Sequence, residues 1–418
     1  MLLRFGVANH RSIYGYQELL LSASKATQDT GLVMPVPTLR ESAVPVVAIY
    51  GANAAGKSNL IDAMYAIRRY VVGSHTGLAA TDTIPRDPFA LNGDAGPTRL
   101  DCTFRVDGRN AHYRSNGEDV YEYGFEYSGE AFRREWLYRM VRNERLSTQT
   151  LFERETEGGT VRVNFGGQLR GENRTIANLT RPNSLFLSAS AQNNHPQLTA
   201  LYTHFAKDWN VVLTEQTLSG PNAAERLWNF VRFDRLVELV RQADIGIDGI
   251  GVGEEEVVDE GKRLYFLHSG ADGRQAVLDY DMQSKGTRTL ITLLIPALEA
   301  LAAGSLLVVD ELDPSLHPDL ARAFVSLFSN PESNPHGAQL IFSTHDVTLL
   351  NSGLLRRDEI WMADKDRQGA SRFVPLSDFN LRSRDDIERA YRNGRVGGVP
   401  LGNEFHIDLD DSSRSVDR

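Results

Sequence analysis

"VPVVAIYGANAAGKS", residues 44–58, decides the fold of this chain. Its first half is a short apolar run ending in glycine, the pattern of a strand buried on both faces of a parallel sheet. Its second half, Gly51 to Ser58, fits G-x-x-x-x-G-K-[ST] in full. Glycines let backbone wrap closely around phosphate oxygens, and the following helix N-terminus faces the anion. A helix is expected from Lys57, since Leu60, Ile61, Met64, Ile67 and Tyr70 recur near helical spacing. Lys57 supplies a point charge to the terminal phosphates, and the Ser58 hydroxyl is placed to ligate Mg²⁺. Gly51, Asn53, Gly56 and Asn59 complete the candidate nucleotide-binding set on this loop.

Such a loop needs a second element to hold metal and water. "SLLVVDELD", 305–313, is an apolar strand ending in two acids. Asp310 is expected in the Mg²⁺ shell, and Glu311 is expected to polarise the attacking water. A third strand, "LIFSTHD", 340–346, ends at His345, which is positioned to sense a γ-phosphate. The fourth element is "DMQSKGTRTL", 281–290, where Ser284, Lys285, Gly286 and Thr287 open a further helix. That is a second anion-ready helix end. It has a use if it caps a nucleotide held by another copy of the chain.

The bulk numbers narrow the class. The chain has 418 residues, 41% hydrophobic and 24% charged, ordinary for a globular protein with a sizeable core. A net charge of −10 excludes a uniformly basic nucleic-acid binder. The single cysteine, Cys102, excludes an internal disulfide and a Cys-based zinc site, and suits the cytoplasm. It is expected as a small buried strand residue. The N-terminus lacks the apolar core of a signal peptide. Residues 290–309 are long enough to span a bilayer, yet Pro296, Glu299 and Gly304 interrupt them. Helix, turn and buried strand is the expected reading, with no membrane partner.

Three regions are expected. An N-terminal lobe, 1–195, carries the phosphate loop and a β-meander over 98–140 built from runs such as "RLDCTFRV", "NAHYRSN" and "VYEYGFEYS", with a hairpin at "ETEGGTVRVNFGG". A helical insertion, 196–245, follows and is expected to contact a partner or a second copy. A C-terminal lobe, 246–418, holds the other motifs. An acidic loop near 251–262 and a polar tail at 409–418 are expected to be solvated.

These motifs, in this order, resemble the ABC-class ATPases. "GANAAGKS" is similar to Walker A, "LLVVDE" to Walker B, "SKGT" to the signature motif and "STHD" to the switch-histidine loop. The resemblance implies that Asp313 lies in a D-loop that crosses to the other subunit, and that Gln192 is a Q-loop residue reaching Mg²⁺. Within the class the chain resembles a RecF/SMC-like branch of prokaryotic ATPases, on "FGVANHRSI", "GANAAGKSNLIDAM", "DELDPSLHP", "STHDVTLLN" and "FNLRSRDDIERAYRNGRVGGVP". His10 stands where that branch usually has Phe. The implied fold is α/β: an ABC-type P-loop ATPase head with a mixed central sheet, an antiparallel β-subdomain and a short helical insertion. The implied cofactors are ATP and Mg²⁺. The implied assembly is a homodimer sharing its nucleotides, with an effector encoded nearby, a nuclease or an RloB/TOPRIM-like protein, as in AbiL- and OLD-related anti-phage modules.

Other readings fit less. A self-contained OLD-type nuclease, which needs a long acidic domain after the ATPase, is not the expected reading of the stretch after His345. "MADKD", 362–366, lacks the Asn of a guanine-reading motif. A RecF-like DNA-repair ATPase is the alternative function. Arg382, Arg384, Arg389, Arg392 and Arg395 are its candidate phosphate contacts, interrupted by Asp385, Asp386 and Glu388.

Overall fold

The computed structural model describes residues 1–24, 32–93, 96–106, 119–213, 230–243, 246–254, 262–270, 273–381 and 386–398. The "NAHYRSN" strand, most of the acidic loop, Arg382, Arg384, Asp385 and the polar tail lie outside these residues.

The phosphate-loop strand, Val46–Gly51, is buried at every position. Val47 and Ile49 face one core, packed against the helix Lys57–Gly73 and the antiparallel sheet. Val46, Ala48 and Tyr50 face a second core, packed against the helices Lys285–Ala303 and Pro318–Ser329. Alternation of side chains on a strand sends successive residues to these two faces, which is why the run reads as continuously apolar.

Six strands form the central sheet, in the order Trp209–Val212, Leu306–Val309, Gln339–Ser343, Val46–Gly51, Ile360–Lys365 and Ser371–Pro375. The first five are parallel and the last is antiparallel. The sheet is therefore mixed. Its three central members align Val309 with Phe342 and Ser343 with Ile49. Their carboxyl ends lie side by side, where open α/β sheets bind ligands.

A second sheet of seven antiparallel strands holds the N-terminal hairpin and the meander, ending in the hairpin Leu146–Glu157 and Thr160–Phe165. Cys102 is fully buried in its strand Thr98–Arg105. A small sheet joins Ile247–Glu254, Lys262–Ser269 and Gln275–Asp279.

One expectation changes. The helix Leu198–Lys207 packs in the main core, and Trp209–Val212 is an edge strand of the central sheet. The insertion expected to begin at 196 is thus part of the head up to Val212. A strand pairing outweighs the helical pattern there, because Trp209–Val212 pairs with the Leu306–Val309 strand. The apolar stretch 290–309 divides as expected, into helix, a left-handed Gly304 and strand. Among the described residues, Lys285–Ala303 is the one helix long and apolar enough to cross a membrane, and its apolar face lies in the core.

Candidate active site

The phosphate loop turns through two left-handed residues, Ala54 and Gly56, with φ of 63° and 104°. A side chain at Gly56 would collide with Ser371 and Ser12, and one at Gly51 would collide with the Ala363 carbonyl. Both glycines are required by close approach. Ser371 Oγ donates to Ala55 O at 2.7 Å and lies 2.7 Å from Ser12 Oγ, which accepts from Asn59 Nδ2 at 2.6 Å. These serines floor the loop. Sequence reading missed them, because Ser371 sits on a strand that it did not anticipate.

Asn53, Ala54 and Ser58 are exposed at the open side, while Lys57 is buried. Lys57 Nζ donates to Gly51 O at 2.8 Å and Ala52 O at 3.1 Å, so its ammonium crosses the loop mouth. Burial pulls its pKa down, against the opposing pull of Glu311, Asp310 and Asp313.

Walker A and Walker B meet through one carboxylate. Asp310 Oδ1 accepts from Ser58 Oγ at 3.1 Å and from Ser343 Oγ at 2.7 Å. Ser343 Oγ in turn accepts from Glu311 N at 2.7 Å. Glu311 has φ 53°, a left-handed conformation that costs a non-glycine residue about 1–3 kcal/mol. Its bond to Ser343, and the Leu312 N bond to Ser343 O at 2.9 Å, hold it there. The turn is what lets two successive acids face one site rather than opposite faces.

Asp313 accepts from His345 N through both oxygens at 3.2 Å, tying the D-loop segment to the switch strand. The His345 side chain is exposed. Burial and the Lys57 charge lower its pKa, against Asp313, Glu311 and Asp310. The neutral imidazole therefore dominates at neutral pH.

At the signature, Ser284 Oγ caps the helix Lys285–Ala303, accepting from Thr287 N at 3.0 Å. Gly286 lies against the Ser315 carbonyl. Lys285 and Thr289 share a cleft of about 120 Å³ with Asp310 and Glu311. Among the described residues, no hydrogen bond joins Ser284 or Gly286 to the phosphate loop of the same chain.

Gln192 is not at this site. It ends the helix Phe186–Gln192, and its amide donates to Tyr202 OH at 3.4 Å. Tyr202 OH donates to Val72 O at 3.1 Å, near the far end of the phosphate-loop helix. That places it about 20 Å from Ser58 along the helix axis. The expectation that it ligates metal is corrected: the helix that carries it packs beside the wrong end of Lys57–Gly73.

The residues present fit Mg²⁺. Two oxygens on neighbouring positions of an octahedral ion, with bonds of about 2.1 Å, stand about 3.0 Å apart. Ser58 Oγ and Asp310 Oδ1 are 3.1 Å apart.

A family model described as "AAA domain, putative AbiEii toxin, Type IV TA system" matches residues 46–351. A solved structure described as "the recombination mediator protein RecF-ATPrS in RecFOR pathway" is similar at 12% identity and a TM-score of 0.31, covering 90% of this chain and 98% of that one. A search of curated proteins finds no match. The family match takes in the phosphate loop, the signature, the paired acids and His345, and the chain belongs to that family of AAA-domain proteins.

Proposed function

We propose that this chain binds ATP with Mg²⁺ and hydrolyses it as a homodimer. We propose further that it serves as a cytoplasmic, nucleotide-gated regulator of an effector in a prokaryotic anti-phage module. The observation that carries the ATPase reading is the chain Ser58–Asp310–Ser343–Glu311, which joins both Walker motifs through hydrogen bonds. The family description, with its putative toxin, supports the defence setting.

In this reading Lys57 and the loop amides bind the phosphates, and Ser58 and Asp310 hold the ion. When bound, the ion neutralises charge on the phosphate oxygens. Glu311, fixed in its turn by Ser343, orients the attacking water and accepts its proton. His345 contacts the γ-phosphate. Ser284 and Gly286 of one copy close over the nucleotide of the other. Ser284 is an exposed residue that, among the described residues, makes no hydrogen bond to the phosphate loop of its own chain, which supports that sharing.

The test is a pair of variants. Glu311→Gln is expected to keep ATP binding, lose about 10²–10⁴-fold in turnover and accumulate as a dimer on size exclusion with ATP. Ser284→Arg is expected to bind ATP yet stay monomeric and inactive. Parent-like hydrolysis by Glu311→Gln sinks the ATPase mechanism; parent-like hydrolysis by Ser284→Arg sinks the shared site. Co-purification with the protein encoded next door tests the effector, and turnover stimulated by DNA would favour the repair reading instead.

A further inference from the structure

Tyr50 immediately precedes the phosphate loop. Its side chain is fully buried, and its hydroxyl has no hydrogen-bond partner. Asp346 immediately follows the switch histidine. Its Oδ1 accepts from Thr348 N at 2.9 Å, while Oδ2 is buried without a partner. Buried polar atoms are nearly always bonded, and an unbonded one carries a free-energy cost. Here two of them flank the nucleotide site.

They belong to one neighbourhood. Ser343 pairs with Ile49, and Thr344 N donates to Ile49 O at 3.1 Å, so the two strand ends run side by side. Tyr50 points to the face that carries Leu349 and Leu350, just beyond Asp346. The Asp346 charge acts on the Tyr50 hydroxyl, whose pKa is raised first by burial and then by that carboxylate.

The C-terminal segment walls this neighbourhood in. Tyr391 meets the Tyr50 ring edge-on at 6.3 Å, and its hydroxyl donates to Gly398 O at 3.0 Å. A Cβ on Gly398 would stand 3.1 Å from the Gly51 Cα. Asp386 Oδ1 accepts from Asn351 Nδ2 at 2.7 Å, joining the same segment to the turn after the switch loop. The phosphate loop and the switch loop thus share one backing.

We propose that Tyr50 is a positioning residue: in the nucleotide-loaded state its hydroxyl donates to Asp346 Oδ2 and thereby sets His345 against the terminal phosphate. This rests on the ATPase reading above. The two unpaired atoms raise the free energy of the nucleotide-free arrangement, and pairing them biases the loaded one.

Tyr50→Phe removes one oxygen and keeps the ring. The nucleotide-free thermal midpoint is expected to hold or rise, because the lost hydroxyl had no partner. Affinity for a fluorescent ATP analogue is expected to fall about tenfold, the scale of one hydrogen bond made only in the loaded state. Turnover at saturating ATP is expected to fall as well, by up to about tenfold, because His345 is no longer held against the terminal phosphate. Asp346→Asn, which keeps an Oδ1 for Thr348, is expected to lose a similar factor, and the double variant no more than either alone. A Tyr50→Phe protein with a lower midpoint and parent turnover would overturn the proposal, since its hydroxyl would then be bonded at rest. A parent protein that neither binds nor hydrolyses ATP would overturn the ATPase reading itself.

Discussion

Glu135 and Tyr50 are both buried and both polar, and the fold treats them in opposite ways. Glu135 lies in the antiparallel sheet, facing the core. It accepts from the Phe186 and Leu187 amides at 2.6 and 3.0 Å, from Tyr123 OH at 3.0 Å and from Arg154 Nη1 at 3.3 Å. Arg154 Nη2 continues to the carbonyls of Arg181 and Pro182. Burial pushes the Glu135 carboxyl up, and these donors pull it back. One side chain thereby fastens the sheet to the start of the helix Phe186–Gln192. Tyr50 and Asp346, beside the nucleotide loops, are left partly unsatisfied. The Glu135 carboxylate is held by bonds already made, although Arg154 Nε of its own cluster is also buried without a partner, while Tyr50 and Asp346 would pair in the loaded state proposed above.

The contrast breaks if the locked cluster proves dispensable. Glu135→Leu strands a buried guanidinium, so it is expected to cost about 3–5 kcal/mol in urea denaturation. A loss under about 1 kcal/mol would show that the cluster locks nothing.

Glu359 offers a test by pH. It is buried at the foot of the phosphate-loop strand, accepts from Arg356 N at 2.8 Å, and has its pKa raised by burial to about 8. A raised carboxyl binds its proton more tightly when folded. Its contribution is full below the unfolded value of 4.5 and is lost as pH rises from there through about 8. Glu359→Gln is expected to remove that dependence, gaining a few kcal/mol relative to the parent at pH 8.5 compared with pH 4.5. An equal difference at both pH values would refute the shift.

Gly398→Ala sharpens the contrast from the site side. Gly398 has φ 70°, and a Cβ there would stand 3.1 Å from both the Ala363 carbonyl and Gly51. About 1–3 kcal/mol of strain is expected, felt as weaker ATP-analogue binding in titration. Strain that appears only in global stability would separate the C-terminal segment from the loop. Tyr50→Phe completes the series, with a nucleotide-free stability change near zero and an effect confined to nucleotide binding and turnover.

Much of the site was legible because its chemistry is local. The phosphate loop needs particular residue types at fixed spacing, and Gly51 to Ser58 shows them within one short run. The paired acids and His345 each end an apolar strand, so each could be found alone. Gln192 was misplaced because a lone polar residue in a small-residue helix says nothing about which end of the neighbouring helix it meets. Ser371 left no signal, since a serine is ordinary in any strand or turn, and Ser12 and Ser343 lay inside quoted motifs without a role of their own being legible.

By itself the sequence determined which strands are buried on both faces, where the helices after them begin, and that the phosphate-loop pattern, the paired acids and His345 each sit at a strand's carboxyl end. These follow from periodicity and backbone stereochemistry, which act over a few residues. Only the tertiary structure decided that Trp209–Val212 joins the central sheet, that Ser343 links Asp310 to Glu311, and that Gly398 abuts Gly51. Those contacts join segments far apart in the chain, so they depend on strand order and register across the whole sheet, which no local pattern encodes.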